Sequence, residues 1–225
     1  MTRKYQDLQS LWDKLHTDCS QKAFNALIHR LFSHYVIKRG EVEFRFLEVE
    51  IYYFGDNHQD WRDEYKKVPF VYERYCEHTG AFFQHQSGVD ICFVGNVTAD
   101  GKNSNGGGVL IRTLLRKEGD KESVVTGPWD CADALFQYMT TESVPVLFQT
   151  DQELCSMSDI LHTKRCNANC LLDTKEDLCF YDKRFVYNGK WSSLSQDGLE
   201  RYNTTKRTYT QNTYNNKPWN YGKGK

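Results

Sequence analysis

Apolar residues recur at helical spacing through the first part of the chain. Leu8, Leu11, Trp12 and Leu15 make one stripe, and Phe24, Leu27, Ile28, Leu31 and Phe32 make a second. This is the period of helices that bury one face, and it predicts helix over most of residues 5–32. Thr17-Asp18-Cys19-Ser20 separates the stripes and offers an N-cap for the second helix. The period then shortens to two. Tyr35-Val36-Ile37 and the run Phe44 to Phe54 are rich in β-branched and aromatic residues, and they predict strands paired across Lys38-Arg39-Gly40. Ala81 to His85 turns through Gln86-Ser87-Gly88 into Val89 to Val94, a hairpin pattern. The glycine-rich turn Asn103 to Gly108 leads into a further strand, Val109 to Leu115. Gly127-Pro128 opens a helix that continues to Phe136, with proline suited to the first turn. Beyond it the pattern is less regular, with short strands expected at 144–148, 178–181 and 185–187.

The strand that ends at Phe54 carries the chemistry. Strand side chains alternate between faces, so Leu47, Val49, Ile51 and Tyr53 form an ordinary core face. Strict alternation places Phe44, Phe46, Glu48, Glu50, Tyr52 and Phe54 on the other. Two carboxylates, roughly 7 Å apart at strand rise, then sit among aromatic rings. Two readings are open: an edge strand whose glutamates face water, or a catalytic carboxylate on the floor of an aromatic-lined pocket. Arg112 poses the same choice, because it interrupts an apolar strand. Facing water from an edge it needs no partner; buried, it needs a carboxylate or other acceptors nearby. The triple glycine before it lacks the strand, loop, lysine and helix order of a phosphate loop, so close backbone approach is the better account.

Composition narrows the classes. The 225 residues suffice for one large domain, and no linker or repeat divides them. Aromatic residues make up 14%, a content suited to gripping flat ligands. The formal net charge of -1 gives no global argument for nucleic acid or membrane. No apolar run spans a bilayer and no signal-peptide pattern opens the chain, so a cytoplasmic protein without membrane contact is expected, with its 8 cysteines as thiols. Cys155, Cys166, Cys170 and Cys179, with His162 among them, lack the paired spacing of structural zinc sites; no metal or cofactor is expected. The stretch from Asp56 to Glu77, with His58 and Trp61, is long for a structureless connection. After Glu200 the chain has no acidic residue, and Tyr and Trp alternate with cations that include Lys206, Arg207 and Lys217. Such a segment suits a nucleic-acid backbone and its bases. Residues 1–200 are therefore expected to form one α+β domain, with 201–225 as a basic, aromatic segment packing on it or extending from it.

Four blocks, in order and at comparable spacing, resemble the alkyladenine (3-methyladenine) DNA glycosylase family. Phe46-Leu47-Glu48-Val49-Glu50-Ile51-Tyr52 is similar to that family's strand of hydrophobic residue, Glu, Thr, Glu, Ala, Tyr. Gly80-Ala81-Phe82-Phe83-Gln84-His85 resembles its base-pocket segment. Gly107-Gly108-Val109-Leu110-Ile111-Arg112-Thr113-Leu114 resembles its glycine-to-arginine strand, and Gly127-Pro128 with Cys131 and Ala134-Leu135 its following helix. The likeness runs from Ala23 to Gln137, with an echo at Lys217-Pro218-Trp219.

The resemblance implies a single α+β domain, a curved antiparallel sheet with flanking helices, of the kind also seen in formyltransferase C-terminal domains. It implies a monomeric, monofunctional hydrolase that flips a modified base from DNA and cleaves its N-glycosidic bond without metal. Glu50 would activate water and Arg112 would hold that water and the carboxylate. Tyr52 and His85 would sandwich the base, with Phe83 and His58 also in the pocket, and Lys206, Arg207 and Lys217 would meet the backbone. A neutral base would need a proton donor, for which His58 and His85 are the candidates. The chain departs from the family in having histidine at position 85 and a Gln86-Ser87-Gly88 turn one residue shorter, so substrate identity does not carry over. The alternatives are a catalytically inactive module that binds modified bases or nucleic acid, and a hydrolase of free nucleosides or nucleotides.

Overall fold

Helices α1 (Gln6–Thr17) and α2 (Gln21–His34) follow the two apolar stripes, and Ser20 begins the second by accepting a hydrogen bond from the Ala23 N–H. A computed structural model of the chain describes residues 4–54, 61–63, 68–69, 78–95, 105–163 and 184–188. The Asp7 carboxylate ties this helical pair to the sheet. It accepts from Arg30 Nε of α2 at 2.5 Å and from the Tyr35 hydroxyl at 2.6 Å.

Tyr35 starts strand β1 (Tyr35–Arg39), which pairs with β2 (Val42–Phe54) across Gly40, as the alternation predicts. Two short strands, β3 (Trp61–Asp63) and β4 (Val68–Pro69), pair with each other inside the long stretch from Asp56 to Glu77. The hairpin of β5 (Phe82–His85) and β6 (Gly88–Cys92) follows, then β7 (Gly106–Glu118), β8 (Lys121–Thr126) and helix α3 (Pro128–Phe136). The last strands are β9 (Val146–Gln149), β10 (Ile160–Thr163) and β11 (Arg184–Tyr187). The alternation alone does not mark β8 or β10. The strand expected at 178–181 and the basic segment 201–225 lie outside the described residues.

The result is a mixed α+β domain with a curled, antiparallel sheet and, among the described residues, three α-helices. Its main order is β10-β11-β2-β7-β6-β5; β1 joins β2 and also β9, and β8 joins β7. β2 is therefore a central strand, with β7 on one side and β1 and β11 on the other. This removes the edge-strand reading of its glutamates, and since β7 lies between β2 and β6, of Arg112 as well.

The register of β2 on β7 corrects a second expectation. Phe46 faces Leu114, Glu48 faces Thr113, and Val49 faces Ile111. Leu47 is thus the extra residue on β2 and Arg112 the extra residue on β7, paired irregularities that restore the register beyond them. Such a bulge breaks the alternation. Phe44 and Phe46, expected beside the glutamates, instead join Val49, Ile51 and Tyr53 in the core beneath α1 and α2. There Phe46 meets Phe32, while Trp12 stacks on Phe93 at 4.3 Å and meets Tyr53 edge-on. Gly107 explains the glycine run: at φ 145° it lies so close to β2 that a Cβ would overlap the Tyr52 carbonyl and press on Trp12.

The Asp7 contacts carry a pH signature. Burial raises its carboxyl pKa, but the hydrogen bonds from Tyr35 and Arg30 outweigh burial and leave it lowered. A carboxylate depressed in the folded state stabilises the fold above its unfolded pKa of about 3.9, and that contribution is lost as pH falls through the folded value. Asp7→Asn is therefore expected to lower the urea midpoint at neutral pH, with the gap from wild type closing below about pH 4.

Candidate active site

Residues directly opposite one another on paired strands share a face. Away from the helices, one row runs Arg184 (β11), Glu50 (β2), Leu110 (β7), Asp90 (β6) and Phe83 (β5). Beside it, Glu48 pairs with Val186 and Thr113. On the other side, Tyr52 pairs with Gly108 and so lines up with Cys92. Arg184, Glu50 and Glu48 from these rows close with the bulged Arg112 into a cluster that is buried except at Arg112, whose side chain is 24% exposed.

Glu48 is the most heavily bonded member. Its Oε1 accepts from Arg112 Nε at 3.1 Å and from Arg184 Nε at 2.6 Å, with Arg184 Nη2 also against it. Its Oε2 accepts from the Thr113 hydroxyl at 3.0 Å. Buried charges require this degree of compensation, and guanidinium forks supply it well. The Arg112 bulge is part of the arrangement, because it brings Nε to Glu48 while Nη1 lies 3.3 Å from Glu50 Oε2. Burial opposes the charge on Arg112, but the carboxylates of Glu50 and then Glu48 outweigh it and hold the guanidinium protonated above its ordinary range. Cys131 of α3 feels the same charges: burial pushes its thiol up, and Glu48 pushes it further.

Glu50 is held more lightly. Its Oε2 accepts from the Tyr52 hydroxyl at 3.1 Å and faces Arg112. Its Oε1 has only a 3.8 Å ion pair with Arg184 Nε and no hydrogen bond among the described residues. Among the described residues, Glu48 has both oxygens hydrogen-bonded, while Glu50 has one oxygen whose sole contact is the ion pair with Arg184.

Glu50 is thus in direct contact with both Arg112 and Tyr52, the grouping that the resemblance implies. Phe83 and His85 lie farther along the same face. Their rings stack at 5.7 Å, His85 Nε2 is 3.4 Å from Asp90 Oδ1, and His85 Nδ1 accepts from the Ser87 N–H at 3.2 Å. No hydrogen bond or ion pair joins His85 to Tyr52 or Glu50 among the described residues. His58, Lys206, Arg207 and Lys217 lie outside the described residues, as do Cys166, Cys170 and Cys179. Cys155 is buried, which raises its thiol to about 12.

Three members of the site were not anticipated: Arg184, Thr113 and Asp90. Two carried the signal that marked Arg112, a charge interrupting an apolar run, at Arg184 before Phe185-Val186-Tyr187 and at Asp90 between Val89 and Ile91. Comparison with known proteins gave no match to a family model, a curated protein or a solved structure.

Removing one partner from a buried charge cluster leaves another uncompensated. Arg184→Met should lower unfolding stability by about 3–5 kcal/mol in urea titrations. Adding Glu48→Gln should recover part of that loss, because the Arg112–Glu50 pair remains balanced. Independent, additive losses would show that the contacts do not act as a cluster.

Proposed function

We propose that this chain is a monofunctional, DNA glycosylase-like hydrolase that turns a modified base out of DNA and cleaves its N-glycosidic bond with a carboxylate-activated water. One observation supports this above the others. Glu50 retains an oxygen without a hydrogen bond among the described residues, while Glu48 beside it is saturated. In this reading a water on Glu50 Oε1 loses a proton to the carboxylate as it attacks C1′ of the sugar. The same negative charge stabilises the oxocarbenium-like centre that develops as the base departs. Tyr52 and Arg112 fix Oε2, which leaves Oε1 to the water, and Arg112, firmly protonated, acts by orientation and charge. Tyr52, Phe83 and His85 supply rings for the extruded base, offsetting the few kcal/mol that unstacking costs. Lys206, Arg207 and Lys217 would carry the contacts to the phosphate backbone.

A second reading draws on the cluster's balance. Two carboxylates matched by two guanidiniums form a self-neutral unit, which suits a module that binds modified bases or nucleic acid without cleaving.

Glu50→Gln separates the two. It should reduce base release from duplexes bearing modified bases by about a hundredfold or more, leaving DNA affinity and the circular dichroism spectrum unchanged. Activity equal to wild type would remove Glu50 as the base. Wild-type binding to such duplexes with no alkali-sensitive product would favour the second reading. Equal activity on mononucleotides and duplex would indicate a hydrolase of free nucleosides.

A further inference from the structure

A second surface lies at β9, which pairs with β1 alone among the described residues. β1 meets the first residues of β2, so β9 is two strands away from β2 and beyond the end that lacks Glu50. Along β9 the side chains of Val146 and Phe148 are 40% and 45% exposed, while Leu147 between them is buried. An edge strand with an apolar outer face invites contact, and natural proteins ordinarily blunt it. Phe148 also lines a cavity of about 600 Å³ at the start of α1, with Lys4, Tyr5, Arg30 of α2 and Gln149. That volume is within the range of ligand-binding clefts.

Cations approach the Phe148 ring from two directions. Lys38, which is not part of the cavity wall, places Nζ over the ring at 3.9 Å from its centre. Lys4 and Arg30 stand on the cavity side. Neither lysine has an ion pair among the described residues, Lys4 lying over the Tyr5 ring. Arg30 bonds to Asp7 through Nε, which leaves the Nη end of its fork to a ligand. Asp7 is the one carboxylate among the described residues of the wall, so the surface favours an anion.

The backbone of β9 decides which anion. The Thr150 N–H donates to the His34 carbonyl, so by antiparallel register Leu147 and Gln149 turn their backbone groups away from β1. The outward Leu147 carbonyl is already taken by the Tyr5 hydroxyl. An acidic peptide that bound by adding a strand would therefore be blocked at the middle of β9. A nucleic-acid single strand needs no backbone pairing. It needs a ring on which a base can stack and cations beside the flanking phosphates.

We infer that this groove binds single-stranded nucleic acid, with Phe148 as the stacking platform and Lys4, Arg30 and Lys38 as the phosphate contacts. The site is separate from the base-excising reading, because no member of the Glu50 cluster lines it.

The test is fluorescence anisotropy of short, labelled oligothymidylate and oligouridylate strands with the full chain. Phe148→Ala should weaken binding about tenfold, the scale of one lost base stack. Lys38→Gln should reduce the slope of log affinity against log salt by about 0.7, the share of one phosphate contact on a single strand. Both side chains are exposed, so neither change should disturb the fold, which thermal melting verifies. Binding of either strand with these two effects supports the site, and the tighter strand identifies the sugar it prefers. A wild-type protein that binds neither strand overturns the assignment. So does a Phe148→Ala protein that binds as wild type does, a result that moves binding elsewhere on the chain. Displacement of the strand by polyglutamate at equal charge concentration would show that charge alone is read, and overturns it as well. None of these outcomes bears on Glu50.

Discussion

Glu48, a carboxylate buried between two guanidiniums, is the interaction on which the far face of the sheet depends. Arg112 comes from the strand on one side of β2 and Arg184 from the strand on the other, so the cluster crosses three strands. Side chains that would be costly to bury singly become mutually compensating when brought together. The paired bulge makes this possible. With Leu47 and Arg112 both extra, Glu48 turns away from the helices while Phe46, two residues earlier, faces them. A regular strand would put both on one side, and an apolar core would then hold a carboxylate.

The two faces consequently have different physics. Beneath α1 and α2 the sheet is covered by apolar side chains, with Trp12 between Phe93 and Tyr53, and Gly107 set close enough for Trp12 to lie across the strand. That packing is dense and non-directional. The opposite face is built from directional contacts between charged groups, with Leu110 between Glu50 and Asp90. Rigid strands rather than loops hold Glu50, Arg112, Tyr52 and Asp90, a support that keeps their side chains in register.

Much of the fold was legible because its signals are local. The two helical stripes, the Ser20 cap, the hairpin at Ser87 and the proline-led start of α3 each follow from the residues within a turn or two. Strands β8 and β10 escaped notice because their few residues mix charged, polar and apolar side chains without clear alternation, and pairing with β7 and β11 is what makes them strands. The face assignment of Phe44 and Phe46 failed for a related reason. A bulge depends on a match between two strands more than sixty residues apart, and no property of the β2 sequence taken alone reports it.

Glu48, Glu50 and Arg112 could be singled out from the chain itself, because ionised side chains inside apolar strands are anomalies of composition and spacing. Which glutamate is bound up and which is left with an oxygen to offer was decided by tertiary structure. It depends on Arg184, a residue 136 positions from Glu48 that arrives from a neighbouring strand. The 3.4 Å approach of His85 to Asp90 likewise exists only in the folded hairpin, where Phe83 stands opposite Asp90 and His85 opposite Gly88. Sequence marks the groups that burial must compensate, and only the folded chain determines how each is compensated, because compensation acts through space over a few ångströms.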